Sequence, residues 1–171
     1  MANTFELIAS STVGSGGAAS IDFTSIPSTY TDLVLKVSGR SSNAANEANC
    51  SISFNGSTAN FSSRALYGDG ASVASFTRSD NTNIFLVTAA TNTASTFGNA
   101  EFYFPNYAGS ANKSFSVDDV TEGNMTNAYA QFHAGLRSNT AAINQITLIT
   151  QGAGALFVQY TTATLYGITN S

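Results

Sequence analysis

Tryptophan is absent, proline occurs twice, cysteine and histidine once each, and charged residues make up only 9% of the 171-residue chain. Each shortage excludes something. A single cysteine, Cys50, can form neither an intrachain disulfide nor a cysteine-based zinc site, and it reads as a small buried apolar side chain. A single histidine, His133, without any G-x-S-x-G elbow argues against a Ser-His-Asp hydrolase. The six basic residues are scattered from Lys36 to Arg137 against ten acidic ones, for a net charge of -4 and a pI near 4.6. Nucleic-acid binding needs clustered cations to displace phosphate counterions, so nucleic acid is excluded as a partner. Anionic membrane surfaces are excluded on the same ground. No run approaches the roughly 18 apolar residues of a membrane span, and residues 1–7 lack the basic and apolar regions of a signal peptide. The expectation is synthesis in a cytoplasm, with any route outside taken as part of a larger particle.

What the chain does have is 43% hydrophobic residues, with 12 Phe and 7 Tyr. Ser, Thr and Asn fill the gap left by charge, at roughly a third of the residues. That is enough apolar matter for one core, and residues 1–171 read as a single domain. The patterning is strand-like from end to end. Leu33, Leu35 and Val37 alternate with Lys36, Ser38 and Arg40; Phe102 and Phe104 alternate with Glu101 and Tyr103; Phe115 and Val117 alternate with Ser114, Ser116 and Asp118. Ala128, Ala130, Phe132, Ala134 and Leu136 form the apolar face of another strand, which puts His133 on its exposed face. Leu156, Val158 and Tyr160 share a face near the end. Asn55-Gly56 after Ser51–Phe54 is a hairpin signal, because a type I′ turn needs positive φ at both central residues. Helical signals are weak: Ser42–Ala48 is the best short candidate and lacks an apolar stripe. Ser10–Ser20 is a Gly/Ser-rich loop or wide hairpin end. The expected fold is all-β, an antiparallel β-sandwich of jelly-roll-like type.

No constellation for catalysis stands out. Asp118, Asp119 and Glu122 are the one acidic cluster, and their position before Gly123 reads as a solvated loop. Oxygen ligands on a loop would suit calcium, but the D-x-D-x-D-G spacing is missing, so no metal and no cofactor is expected. The tyrosines could build a sugar-stacking platform or simply occupy half-buried strand positions. Tyr103 and Tyr129, on polar strand faces, and the acidic Asp119 are the candidate surface-contact residues.

The stretch from Ala19 to Leu35, "ASIDFTSIPSTYTDLVL", resembles the "FxxIPxxYxDLxL" opening of virion structural proteins of tailed bacteriophages, many of them marine. Ser53-Phe54-Asn55-Gly56, Leu66–Gly70, Asn106-Tyr107 with Lys113-Ser114, Ala142–Leu148 and the closing Leu165-Tyr166-Gly167-Ile168 follow in the same order, so the likeness runs over nearly the whole chain. It departs in lacking Trp on the strand of Phe132 and in a longer Ala/Asn-rich stretch at Ser42–Asn49. The resemblance implies a jelly-roll-like virion component with no catalytic residues. The function expected is a non-enzymatic virion surface protein, a capsid decoration protein first. Its partners would be the major capsid protein or tail proteins, with the N-terminal strand or the loop around Val13–Ser20 helping to dock. The alternative is a receptor-binding tail-fibre or tail-spike module that recognises host glycans. A homo-trimer fits either role, and no sequence pattern demands three-fold symmetry.

Overall fold

In the computed structural model, which describes residues 4–79, 82–125 and 128–169, the chain is an antiparallel sandwich of twelve strands, with no helix among the described residues. The larger sheet has eight strands: β1 (Phe5–Thr12), β3 (Asp32–Gly39), β5 (Phe61–Gly68), β6 (Val73–Ser79), β8 (Gly98–Pro105), β9 (Lys113–Val120), β10 (Ala130–Arg137) and β12 (Thr162–Ile168). They lie in the order β1-β12-β3-β8-β9-β10-β5-β6. The smaller sheet has four: β2 (Ser20–Phe23), β4 (Glu47–Phe54), β7 (Asn83–Thr88) and β11 (Ile146–Thr150), in the order β2-β11-β4-β7. The chain passes repeatedly from one sheet to the other, which gives the sandwich its jelly-roll-like character.

The core follows from period-two alternation. Leu33, Leu35 and Val37 of β3, Phe102 and Phe104 of β8, and Phe115 and Val117 of β9 all point inward, as their spacing predicts. Opposite them stand Cys50, Ile52 and Phe54 of β4 and Ile146 and Leu148 of β11, all fully buried. Cys50 is thus a core residue, and burial pushes its thiol well above the ordinary range.

Four sequence expectations are corrected. The apolar face of β10 is turned outward: Phe132 is exposed, while His133 and Arg137 are buried. The reason lies in the neighbours. Gly135 shares the inward face, and a Cβ there would sit 2.2 Å from the Phe115 ring, so only glycine lets β10 lie flat over Phe115. Arg137 meanwhile spreads its guanidinium over the rings of Phe54 and Phe61, at 5.8 and 5.9 Å. Second, Asn55-Gly56 does form its turn, with φ of 54° and 70° and reciprocal bonds between Phe54 and Ser57. The hairpin then stops, because β5 belongs to the other sheet. Third, Leu156–Tyr160 is not a strand: Phe157 is the buried residue and Tyr160 lies at φ 72°. Fourth, Ser42–Ala48 holds no helix; it is a bend leading into β4.

Arg40, just past β3, fastens the loop after β7. Its guanidinium donates to the carbonyls of Thr93 and Thr96 at 2.8 Å and of Asn92 at 3.0 Å. Lysine keeps the charge but not the planar fork that reaches all three acceptors. Arg40→Lys is expected to cost about 1–2 kcal/mol in urea denaturation and to speed amide exchange at residues 90–97. Unchanged exchange there would show that the loop holds itself.

Candidate functional site

Eight strands cannot be covered by four. The smaller sheet ends at β7, which packs under β8 and β9 and just reaches β10. The β10-β5-β6 end of the larger sheet therefore projects as a wing beyond the sandwich. Between the inner face of this wing and the free edge of β7 lies a cleft of about 310 Å³, at the lower end of the roughly 300–1,000 Å³ usual for small-molecule sites.

Each wall has a sequence origin. On the wing, alternate residues face inward: Tyr67 of β5, Phe76 and Arg78 of β6, Gln131 and His133 of β10. Tyr129 joins them because, just beyond β9 and β10, the Thr121 amide donates to the Tyr129 carbonyl and the Tyr129 amide donates to the Thr121 hydroxyl. On the other side stand Glu47 and Asn49 of β4 and Asn83, Phe85 and Leu86 of β7. The aromatic residues touch in series. The ring centroid of Tyr67 is 5.8 Å from Phe76 and 6.0 Å from Tyr129, with tilts of 47° and 49°, and Phe76 meets His133 edge-on at 5.7 Å. Arg78 lies over Phe76, 4.6 Å from the ring centre, and donates to the Asn83 carbonyl on the open edge of β7 at 2.7 Å.

Behind the cleft floor lies the strongest electrostatic feature of the fold. Asp119 of β9 is fully buried, and its Oδ2 is 3.7 Å from His133 Nε2. Neither Asp119 oxygen makes a hydrogen bond of normal geometry; the nearby Leu86 amide favours the carboxylate, against the desolvation. Desolvation lifts the carboxyl to about 8, with Asp118 adding to the rise. Desolvation also lowers His133 to about 4, helped by the cationic Arg78. Near neutral pH the pair is uncharged: a protonated acid beside a neutral imidazole. His133 Nε2 lies 3.0 Å from Gln131 Oε1, and its Nδ1 has no protein partner. Among the described residues the cleft lining carries one cation, Arg78, and one carboxylate, Glu47, whose proton affinity burial raises.

The sequence-predicted contact residues do not come together. Tyr129 lines the cleft. Tyr103 lies on the outer face of the larger sheet, where its hydroxyl donates to Asp32 at 2.8 Å; that bond raises its pKa. Asp119 is corrected outright: it sits on a strand rather than a loop, and it touches no surface. The acidic cluster is split as well, since Asp118 and Asp119 face opposite sides of β9 and Glu122 accepts from the Asn124 amide at 2.6 Å. Among the described residues no group of three His, Cys, Asp or Glu side chains converges as a metal site, and no helix is long and apolar enough to cross a membrane. Sequence reasoning missed Glu47, Asn49, Phe76, Arg78, Gln131 and His133. One signal was available: β10 carries its long polar side chains on the same face as its glycine, while two of the four residues on the opposite face are alanine.

No protein-family model and no curated protein matches this chain.

Proposed function

We propose that this protein is a non-enzymatic surface component of a tailed-phage virion, a capsid decoration protein, which docks through the outer face of its wing. One observation carries the reading. The outer side of β10-β5-β6 exposes Leu66 at 56%, Val73 at 76% and Phe132 at 54% of their surfaces, with Val120 adjoining on β9. The pairing register places Phe132 beside Leu66, and Ala130 between Val120 and Gly68 with Val73 next in line, so these residues form one patch. A contiguous exposed apolar patch marks an interaction site. A flat sheet face suits a protein shell, and repetition over a lattice lets each contact be small. The Gly/Ser loop is offered as a further contact: both its ends are tied, Val13 to Thr161 and Ala18 to Phe157, while Gly14–Gly16 stay exposed.

Quantitative mass spectrometry of purified particles tests the assignment. Decoration requires copies in fixed ratio to the major capsid protein; a ratio matching the tail would shift the protein to a fibre or spike, and absence from particles would sink the virion reading. The face is tested by a Leu66→Ser, Phe132→Ser double variant. Both side chains already face solvent, so the fold should survive, while binding to undecorated capsids falls at least about tenfold by co-sedimentation. Undiminished binding would move the docking surface elsewhere.

A further inference from the structure

We propose that the cleft between the wing and the β7 edge binds a neutral saccharide, on the opposite side of the wing from the docking patch. This site stands whether the protein decorates a capsid or belongs to a tail, because it draws on different residues.

Three observations point to sugar. First, Tyr129, Tyr67 and Phe76 form a continuous aromatic wall whose successive rings are tilted by 49° and 47°. Such ring faces offer apolar contact to the C–H face of a pyranose, while the Tyr hydroxyls remain available to polar groups. Second, the opposing wall and the floor offer planar polar groups suited to vicinal hydroxyls: the amides of Asn49 and Gln131, and the Arg78 donors left over after its bond to Asn83. Third, His133 Nε2 meets Gln131 Oε1 at 3.0 Å, which holds the Gln131 amide in place at the cleft wall. Among the described residues the lining carries Arg78 and Glu47, charges of opposite sign, which favours a neutral sugar. The volume suits a terminal ring or a short end of a chain rather than a long polymer threaded through.

The test is saturation-transfer difference NMR on the intact chain with glucose, galactose, mannose and N-acetylglucosamine at millimolar concentration, and adenosine as a flat-ring control. Transfer to at least one sugar is expected. It should weaken about tenfold in Tyr129→Ala, which removes a stacking face, and measurably in Asn49→Ala, whose exposed side chain leaves the fold undisturbed. Amide spectra establish which variants are folded, and attenuation in either folded variant supports the site. The Leu66→Ser, Phe132→Ser variant should retain full transfer, so failure of docking and failure of sugar binding are read separately. No transfer to any of the four sugars, transfer to adenosine alone, or a sugar signal unchanged in both cleft variants overturns the proposal.

Discussion

Replacing Phe54 by alanine is expected to remove about 3–5 kcal/mol of stability, the largest loss from any single core truncation in this fold. Phe54 closes β4 at the centre of the sandwich and is fully buried. Its ring centroid lies 5.2 Å from Phe61, 5.6 Å from Phe104 and 5.6 Å from Phe115, the last two edge-to-face. Those partners belong to β5, β8 and β9, so one ring from the smaller sheet bridges three strands of the larger. Alanine there leaves a cavity that strands fixed by hydrogen bonding cannot collapse to fill. It also strips one aromatic face from the buried guanidinium of Arg137, whose Nε already lacks a hydrogen-bond partner. Urea denaturation measures the loss. Phe54→Leu, which keeps most of the volume, should cost much less, about 1–1.5 kcal/mol. A loss below about 1 kcal/mol for alanine would mean that the sheets are not locked together at this ring. The consequence extends to the cleft, because β4 and β7 supply one of its walls and Phe54 sets their distance from β5.

The strands that form the centre of the sandwich were legible because each has one wet face and one dry face. Lys36 against Leu35 and Val37, or Ser114 and Ser116 against Phe115 and Val117, leaves a single solution for which side is in. β10 misled because that rule counts apolar residues and ignores what lies opposite. Alanines are small enough to face water without penalty, and histidine, glutamine and arginine can be buried when aromatic rings and a neighbouring strand receive them. The Asn55-Gly56 turn was readable from local backbone sterics. That β5 then leaves for the other sheet was not, since strand pairing is decided by contacts far apart in sequence. The cleft was hidden for the same reason: Asn49, Tyr67, Arg78, Leu86 and Gln131 come from five strands and meet only because the two sheets differ in width. The overhang that creates both the cleft and the exposed patch is a property of the strand count in each sheet, which no local motif records.

Asp119 and His133 should make the pH dependence of stability lopsided, and Asp119→Asn should reverse it. The folded carboxyl titrates near 8, against about 3.9 in the unfolded chain. Between those values the folded state holds a proton that the unfolded state has lost, so this group lowers stability as pH rises through the window. His133 runs the other way. It titrates near 4 when folded and about 6.5 when unfolded, so the unfolded state holds the extra proton there and stability falls as pH drops. From about pH 4 to 6.5 the two slopes oppose each other, because folding merely converts an unfolded carboxylate and imidazolium into a neutral pair. Above about 6.5 only Asp119 remains. The wild-type protein should therefore lose about 1.4 kcal/mol per pH unit up to about 8, near 2 kcal/mol in all, and take up one proton on folding. The amide of the Asp119→Asn variant would have no proton to gain. The variant's advantage over wild type should grow with pH, reaching about 5 kcal/mol between the acid and alkaline ends of the window. It should also become acid-sensitive below 6.5 through His133, by at most about 3 kcal/mol, since water in the adjoining cleft screens that imidazole. The groups that act on the pair are the Leu86 amide on β7, Arg78 on β6 and, from the opposite face of β9, Asp118. Urea denaturation across pH 4–9, with calorimetry in buffers of different ionisation enthalpy to count the proton, decides the matter. A wild-type profile that is flat from 6.5 to 8, or an Asp119→Asn profile parallel to it, would mean that Asp119 is ionised in the folded protein and that water or a ligand reaches it behind the cleft.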